Sequence, residues 1–196
     1  MKSVLLSTRP KWCEKICHEI GTDKNGKPIY EKSIEVRKTK PSIPTPFKVF
    51  IYETYDKKYD GIGICWGKGK SFEHGCKKII GEFVCDRVTE LDYVYYWNNG
   101  YEIATCMTYR EVANYGKGKT LYGWHISQLK IYDKPKELSE FSPICSYKND
   151  DGSCQCRKVD CLYQQRDYNT DGSVNLVTCG KSITRPPQSY MYVEEV

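Results

Sequence analysis

The sequence predicts an α+β domain dominated by strands. Apolar or alternating runs rich in β-branched and aromatic residues recur at positions 34–36, 47–54, 79–88, 121–132 and 189–193. Against these stands one strong helical stripe, Trp12, Cys13, Ile16, Cys17 and Ile20. Proline, glycine and asparagine punctuate the intervals, as turns require.

The chain opens with a short apolar strand at 3–7, followed by a helix expected over residues 9–20. Thr8 is placed as its N-cap, Pro10 in its first turn and Gly21 at its end. Cys13 and Cys17 lie one turn apart on the apolar stripe, where free cysteine behaves as a small hydrophobe, so both are read as core. His18 is read as surface.

Residues 34–37 read as a strand with Ile34 and Val36 on one face, Glu35 and Arg37 on the other, and Lys32 at its mouth. Glu35 and Arg37 can form a weak surface ion pair, or they can offer an acceptor and a donor to a polar ligand. Pro41, Pro44 and Pro46 then impose an extended connection. Residues 47–54 are apolar on both faces, which predicts a strand covered on both sides. Positions 55–76 read as a hairpin or loop, with Lys68, Lys70, Lys77 and Lys78 as the densest basic run, either solvated or touching phosphate.

Residues 79–88 form a core strand. Tyr93, Tyr95, Tyr96, Trp97 and Tyr101 surround the turn signal 98–100, as a cross-strand aromatic hairpin or a stacking platform. Thr108 and Glu111 have capping-box spacing and open a helix to Tyr115, closed by Gly116. Residues 116–120, Gly-Lys-Gly-Lys-Thr, are not a phosphate loop: Ala113 occupies the first glycine position, no strand leads in and no long helix leaves. The strand at 121–132 carries Trp124 and Ile126 on one face, His125 and Ser127 on the other, and breaks near Gln128, consistent with a bulge.

Composition narrows the function classes. A hydrophobic fraction of 39%, a charged fraction of 28% and a net charge of +5 describe a globular chain that permits a polyanionic partner without requiring one. The 17 tyrosines, interspersed with lysines, suit stacking on bases as well as filling a core. No apolar run is long enough to span a membrane, and the apolar start is shorter than a signal-peptide core, so a cytoplasmic protein with reduced thiols is expected. Of the 11 cysteines, Cys145, Cys154, Cys156, Cys161 and Cys179 crowd a polar segment with little to bury. They are candidate ligands of a structural zinc, with a loop bearing free thiols as the alternative, because Cys154-x-Cys156 is tighter than the usual pair.

Ser7 and Pro10 match a Ser-x-x-Pro turn, and Lys32, Glu35 and Arg37 match a Gly-x-Lys-x-x-Glu-x-Arg motif whose glycine is here Tyr30, preceded by an extra polar turn at 21–27. On these residues the chain resembles the ASCH (activating signal cointegrator homology) family, a branch of the PUA-like β-barrels. Stretches at 80–85, 120–127, 131–138 and 184–189 are similar to ASCH proteins encoded by phages and prophages of Gram-positive bacteria.

The resemblance implies a PUA-like barrel over residues 1–142, a Cys-rich insertion over 143–183 and a final strand over 184–196 rejoining the barrel. It further implies a non-enzymatic module binding nucleic acid, most readily RNA, a modified base or a nucleotide in a cleft formed by Ser7, Pro10, Lys32, Glu35 and Arg37, with Trp124 or one of the cluster tyrosines stacking and His125 as a further candidate ligand-binding residue. Alternative readings are a nucleotide-acting hydrolase or ribonuclease, and a phage accessory protein that sequesters a nucleotide or blocks a host protein. The acylcytidine-hydrolysing relatives use a threonine where this chain has Glu35, so their mechanism does not transfer directly.

Overall fold

The computed structural model describes residues 3–59, 64–66, 70–72, 77–91, 96, 100–144 and 183–195. Strands dominate, with few helices. The elements are β1 (Ser3–Thr8), α1 (Pro10–Cys17), β2 (Glu19–Thr22), β3 (Pro28–Tyr30), β4 (Ile34–Arg37), β5 (Phe47–Glu53), β6 (Ile64–Trp66) and β7 (Lys70–Phe72). They continue with β8 (Ile79–Leu91), α2 (Tyr101–Thr105), α3 (Tyr109–Gly116), β9 (Leu121–Lys136), β10 (Phe141–Pro143) and β11 (Tyr190–Glu195).

Seven strands form one sheet in the order β10-β11-β1-β5-β8-β9-β4, in which only β1 and β5 run parallel. Among the described residues the expected closed barrel is not found: closure needs the two edge strands, β4 and β10, to pair, and they do not. The sheet rolls over instead, and side chains span the gap. Arg37 Nη2 donates to Ser7 O at 3.0 Å and Thr8 Oγ1 at 3.2 Å, and the Ser42 amide donates to Tyr192 Oη at 2.8 Å.

Both faces of the sheet are buried. One face packs Val4, Leu6, Phe47, Val49, Ile51, Phe83, Cys85 and Trp124 against Cys13, Ile16 and Cys17 of α1. The other holds Leu5, Phe50, Tyr52, Ile79, Tyr132, Phe141, Ile183 and Val193. This is why β5 reads as apolar throughout. A third cluster, Val36, Leu91, Tyr96, Met107, Val112 and Leu121, lies where α2 and α3 cover β4 and β9.

Several local expectations hold for the stated reasons. The capping box at Thr108 and Glu111 is fully formed. Gln128 has φ 49° beside a register shift in the β8–β9 pairing, so the strand does bulge there. Residues 116–120 form the left-handed exit of α3 into β9, not a phosphate loop. The hairpin expected within 55–76 is the β6–β7 pair.

Other expectations are corrected. The first helix ends at Cys17, and residues 19–30 form the β2–β3 hairpin. Asp23 accepts from the amides of Asn25 and Lys27, giving this backbone a turn that competes with helix continuation. Ile20, counted in the helical stripe, is therefore 58% exposed. Arg9, not Thr8, is the N-cap, because the Thr8 hydroxyl accepts from Arg37. Tyr101 opens α2 after left-handed Gly100, where an aromatic hairpin was expected. Tyr93, Tyr95, Trp97 and Lys68 lie outside the described residues, as do Cys145, Cys154, Cys156, Cys161 and Cys179. Among the described residues, no helix is long and apolar enough to cross a membrane.

Candidate functional site: a buried charged cavity

A cavity of about 260 Å³ opens between the end of β1, the start of α1 and strand β4. Ser7, Thr8, Arg9, Trp12, Lys32, Glu35, Val36, Arg37, Thr54, Met107, Tyr115 and Gln188 line it. The strand alternation that sets Glu35 and Arg37 opposite Ile34 and Val36 turns both charges inward, onto the α1 side of the sheet. Lys32, Glu35 and Arg37 are 1%, 4% and 7% exposed, so the weak surface ion pair considered from sequence is ruled out.

The carboxylate of Glu35 sits between the two cations. Its Oε1 lies 2.8 Å from Arg37 Nη2, and its Oε2 lies 3.4 Å from Lys32 Nζ. Lys32 Nζ also donates to Thr105 O at 2.5 Å and lies 4.8 Å from the Trp12 ring centre. Burial lowers the Lys32 pKa, and the Glu35 charge works in the opposite sense. The Thr105 carbonyl is held in place by its own network: its hydroxyl donates to Tyr101 O at 2.7 Å, and Tyr96 Oη meets that hydroxyl at 2.5 Å.

Three buried charged side chains are a poor way to gain stability, since an apolar trio of similar volume often folds as well or better. Two of their polar atoms are unsatisfied: Arg37 Nε has no hydrogen-bond partner, and Glu35 Oε2 has the Lys32 ammonium near it without hydrogen-bond geometry. Both atoms belong to cavity-lining side chains but are themselves sealed from solvent, so a ligand reaches them only as those side chains shift.

Aromatic rings border this edge. Trp12 lies between two ammonium groups, with Lys11 Nζ 4.5 Å and Lys32 Nζ 4.8 Å from its ring centre. Tyr115 carries Lys38 Nζ at 4.7 Å over its ring. Burial raises the Tyr115 pKa; the Arg37 guanidinium pulls it down, Glu35 pushes it up and Arg9 pulls it down.

Of the residues expected at the site, Ser7, Lys32, Glu35 and Arg37 are brought together. Ser7 Oγ donates to Pro187 O at 2.7 Å, tying the turn to the segment before β11. Pro10 is buried at the first position of α1 and shapes the turn without lining the cavity. Trp124 is corrected: it is fully buried, edge-on to Phe47 and Tyr190, and does not line the cavity. Its register opposite Glu35 points it to the same face, but deeper, into the core under α1. His125 points to the opposite face, where Thr89 Oγ1 and Arg87 Nη2 lie 2.7 and 3.1 Å from its ring nitrogens. Burial and Arg87 lower its pKa.

The sequence reading placed Thr8 and Arg9 only as part of the turn from Ser7 to Pro10, and it missed Trp12, Val36, Thr54, Met107, Tyr115 and Gln188. Trp12 was legible in principle: it is at the edge of the stripe beside Lys11, so only part of its ring can face the core. Thr54, Met107 and Gln188 come from distant segments and carry no local signal. Cys13 and Cys17 are buried as expected, Cys13 Sγ lying 3.6 Å from Thr8 O.

The cavity and the rolled sheet define a strand-rich α+β domain with an open, mixed-charge pocket. No family model matches the chain, and no curated protein matches it. Among solved structures it is similar to the ASCH protein of Zymomonas mobilis, at a TM-score of 0.47 and 15% identity over 70% of this chain and 74% of that one. Two mutants of that protein give the same TM-score at 14% and 15% identity, covering 77% and 75% of their chains. The likeness is one of partial shape, and no ligand or activity transfers with it.

Proposed function

We propose that the protein is a nucleic-acid-binding module whose cavity takes in a single nucleobase. The observation that carries this reading is the unmet pair formed by Arg37 Nε and Glu35 Oε2. A base edge that sets a ring nitrogen or carbonyl beside an exocyclic amine satisfies both at once. Trp12 and Tyr115 supply ring faces for stacking, worth about 1–3 kcal/mol per base. At about 260 Å³ the cavity is at the small end of ligand sites, matching one base or nucleoside and excluding a duplex. RNA is the preferred partner, because unstacked bases in single strands are open to this kind of reading.

Fluorescence polarisation with the four homopolymeric RNA hexamers tests the reading. Binding to at least one, lost in Glu35→Gln/Arg37→Met at a temperature where the melting curve shows that variant folded, supports it; equal binding by that variant and the native chain removes the cavity from the interaction. A free-nucleotide sponge would differ by a shallow salt dependence, since few phosphates are neutralised.

A hydrolytic role for the same cavity draws on Lys32, whose burial makes its proton easier to lose. Turnover of acylcytidine or RNA that survives Lys32→Ala would exclude it. For residues 143–183 the cysteine pattern alone supports a structural zinc, and native mass spectrometry of the whole chain reads its presence directly.

A further inference from the structure

We infer that Gln188 is the specificity-determining residue of the cavity and selects adenine by reading the N6/N7 edge of the base, with Ser7 as the positioning residue that holds it there. This rests on the base-binding reading above and names the base.

Ser7 is the first argument. Its amide donates to Ser189 O at 2.9 Å, its hydroxyl donates to Pro187 O at 2.7 Å, and its carbonyl accepts from Arg37 Nη2 at 3.0 Å. Ser7 therefore lines the cavity with no donor left for a ligand. The two carbonyls that it binds flank Gln188. An otherwise irregular segment is thereby pinned on both sides of one residue, and Pro186 and Pro187 restrict the approach to it further. The bond to Ser189 also extends the β1–β11 pairing, in which Leu6 faces Tyr190, by one step. Gln188 accordingly falls beside Thr8, whose hydroxyl accepts from Arg37.

The state of the amide is the second. Gln188 lines the cavity and is exposed, and among the described residues its side chain has no hydrogen-bond partner. The neighbouring hydroxyls are engaged within the wall: Thr54 Oγ1 donates to Thr8 O at 3.3 Å, and Thr8 Oγ1 meets Arg37 at 3.2 Å. A ligand meets the Gln188 amide with no side chain having to move first, in contrast to the sealed Arg37 Nε and Glu35 Oε2.

The chemistry of the base is the third. An amide sets one donor beside one acceptor, and adenine answers it bidentately with N7 and an N6 hydrogen. The second N6 hydrogen lies beside N1, so the opposite edge repeats the pattern for Arg37 and Glu35. Cytosine carries C5–H on the far side of its amine, guanine sets a second acceptor, O6, beside N7, and uracil has no amine.

Fluorescence polarisation with RNA hexamers of adenosine, cytidine, guanosine, uridine and 7-deazaadenosine tests this, since the last lacks only the N7 acceptor. The adenosine hexamer is expected to bind about tenfold more tightly than any other. In Gln188→Ala, an exposed position whose backbone anchors remain, the ratio of adenosine to 7-deazaadenosine affinity should fall below about threefold. Ser7→Ala should lower the same ratio, and Ser7→Ala/Gln188→Ala should lower it no further than Gln188→Ala alone, a coupling that a purely structural serine does not give. Tighter binding of another base, equal affinity for the adenosine and 7-deazaadenosine hexamers, or a ratio that survives Gln188→Ala overturns the inference. Adenosine binding that is lost in Glu35→Gln/Arg37→Met and unaltered in Gln188→Ala overturns it while keeping the cavity as the base site. Absence of binding by every hexamer overturns both.

Discussion

Arg37 Nη2 lies 2.8 Å from Glu35 Oε1 with both side chains more than nine-tenths buried, and the same nitrogen reaches across to Ser7 O and Thr8 Oγ1 on β1. One guanidinium thus pairs with Glu35 and fastens edge strand β4 to β1 in the interior of the rolled sheet.

From this double duty follows a stability effect. Arg37→Met should cost about 3–5 kcal/mol, because it leaves the Glu35 carboxylate buried with only Lys32 near it. Glu35→Gln/Arg37→Met should be closer to native than Arg37→Met alone. Urea midpoints of the two variants measure this, and a double variant less stable than the single one contradicts the assignment.

Trp12 is expected to report ligand directly. Its ring lines the cavity, whereas Trp124 is sealed in the core. Trp12→Phe should abolish most of any ligand-induced fluorescence change and weaken base binding by about 1 kcal/mol or more. A quenching signal that persists in the variant would place the ligand elsewhere.

Glu53 gives a pH signature. It is 2% exposed, its Oε2 has no hydrogen-bond partner, and burial raises its pKa to about 7. The folded chain therefore holds this proton more tightly than the unfolded chain does. The resulting penalty is absent below about pH 4.5, grows as pH rises and is complete above about pH 7, where it amounts to about 3 kcal/mol. Glu53→Gln should remove the decline over that window, stabilising the protein at pH 8 and leaving it nearly unchanged at pH 4.5. A denaturant series across pH checks the sign.

Gly81 sits in the β8–β9 ladder opposite Ile131. A Cβ there would stand 2.6 Å from Lys130 O, a backbone atom that cannot move without breaking the ladder. Gly81→Ala should lower the melting temperature clearly, by an amount corresponding to about 1–3 kcal/mol. Lys117→Gly, at φ 50°, should raise it by relieving left-handed strain.

Much of this molecule was legible in its residues because the relevant physics is local. Alternation set Glu35 and Arg37 on one face, the Thr108 and Glu111 spacing fixed a helix start, and the double-sided apolar run of β5 announced a strand covered on both faces. The tertiary structure alone decided that the charged face turns inward, since nothing within residues 34–37 reveals what packs against them. It also decided that among the described strands the sheet stays open, because edge strands β4 and β10 do not pair, and that Trp124 fills the core while Trp12 lines the cavity. Those outcomes depend on contacts between segments far apart in the chain, such as Arg37 with Ser7 and Lys32 with Thr105, and such contacts leave no periodicity to read.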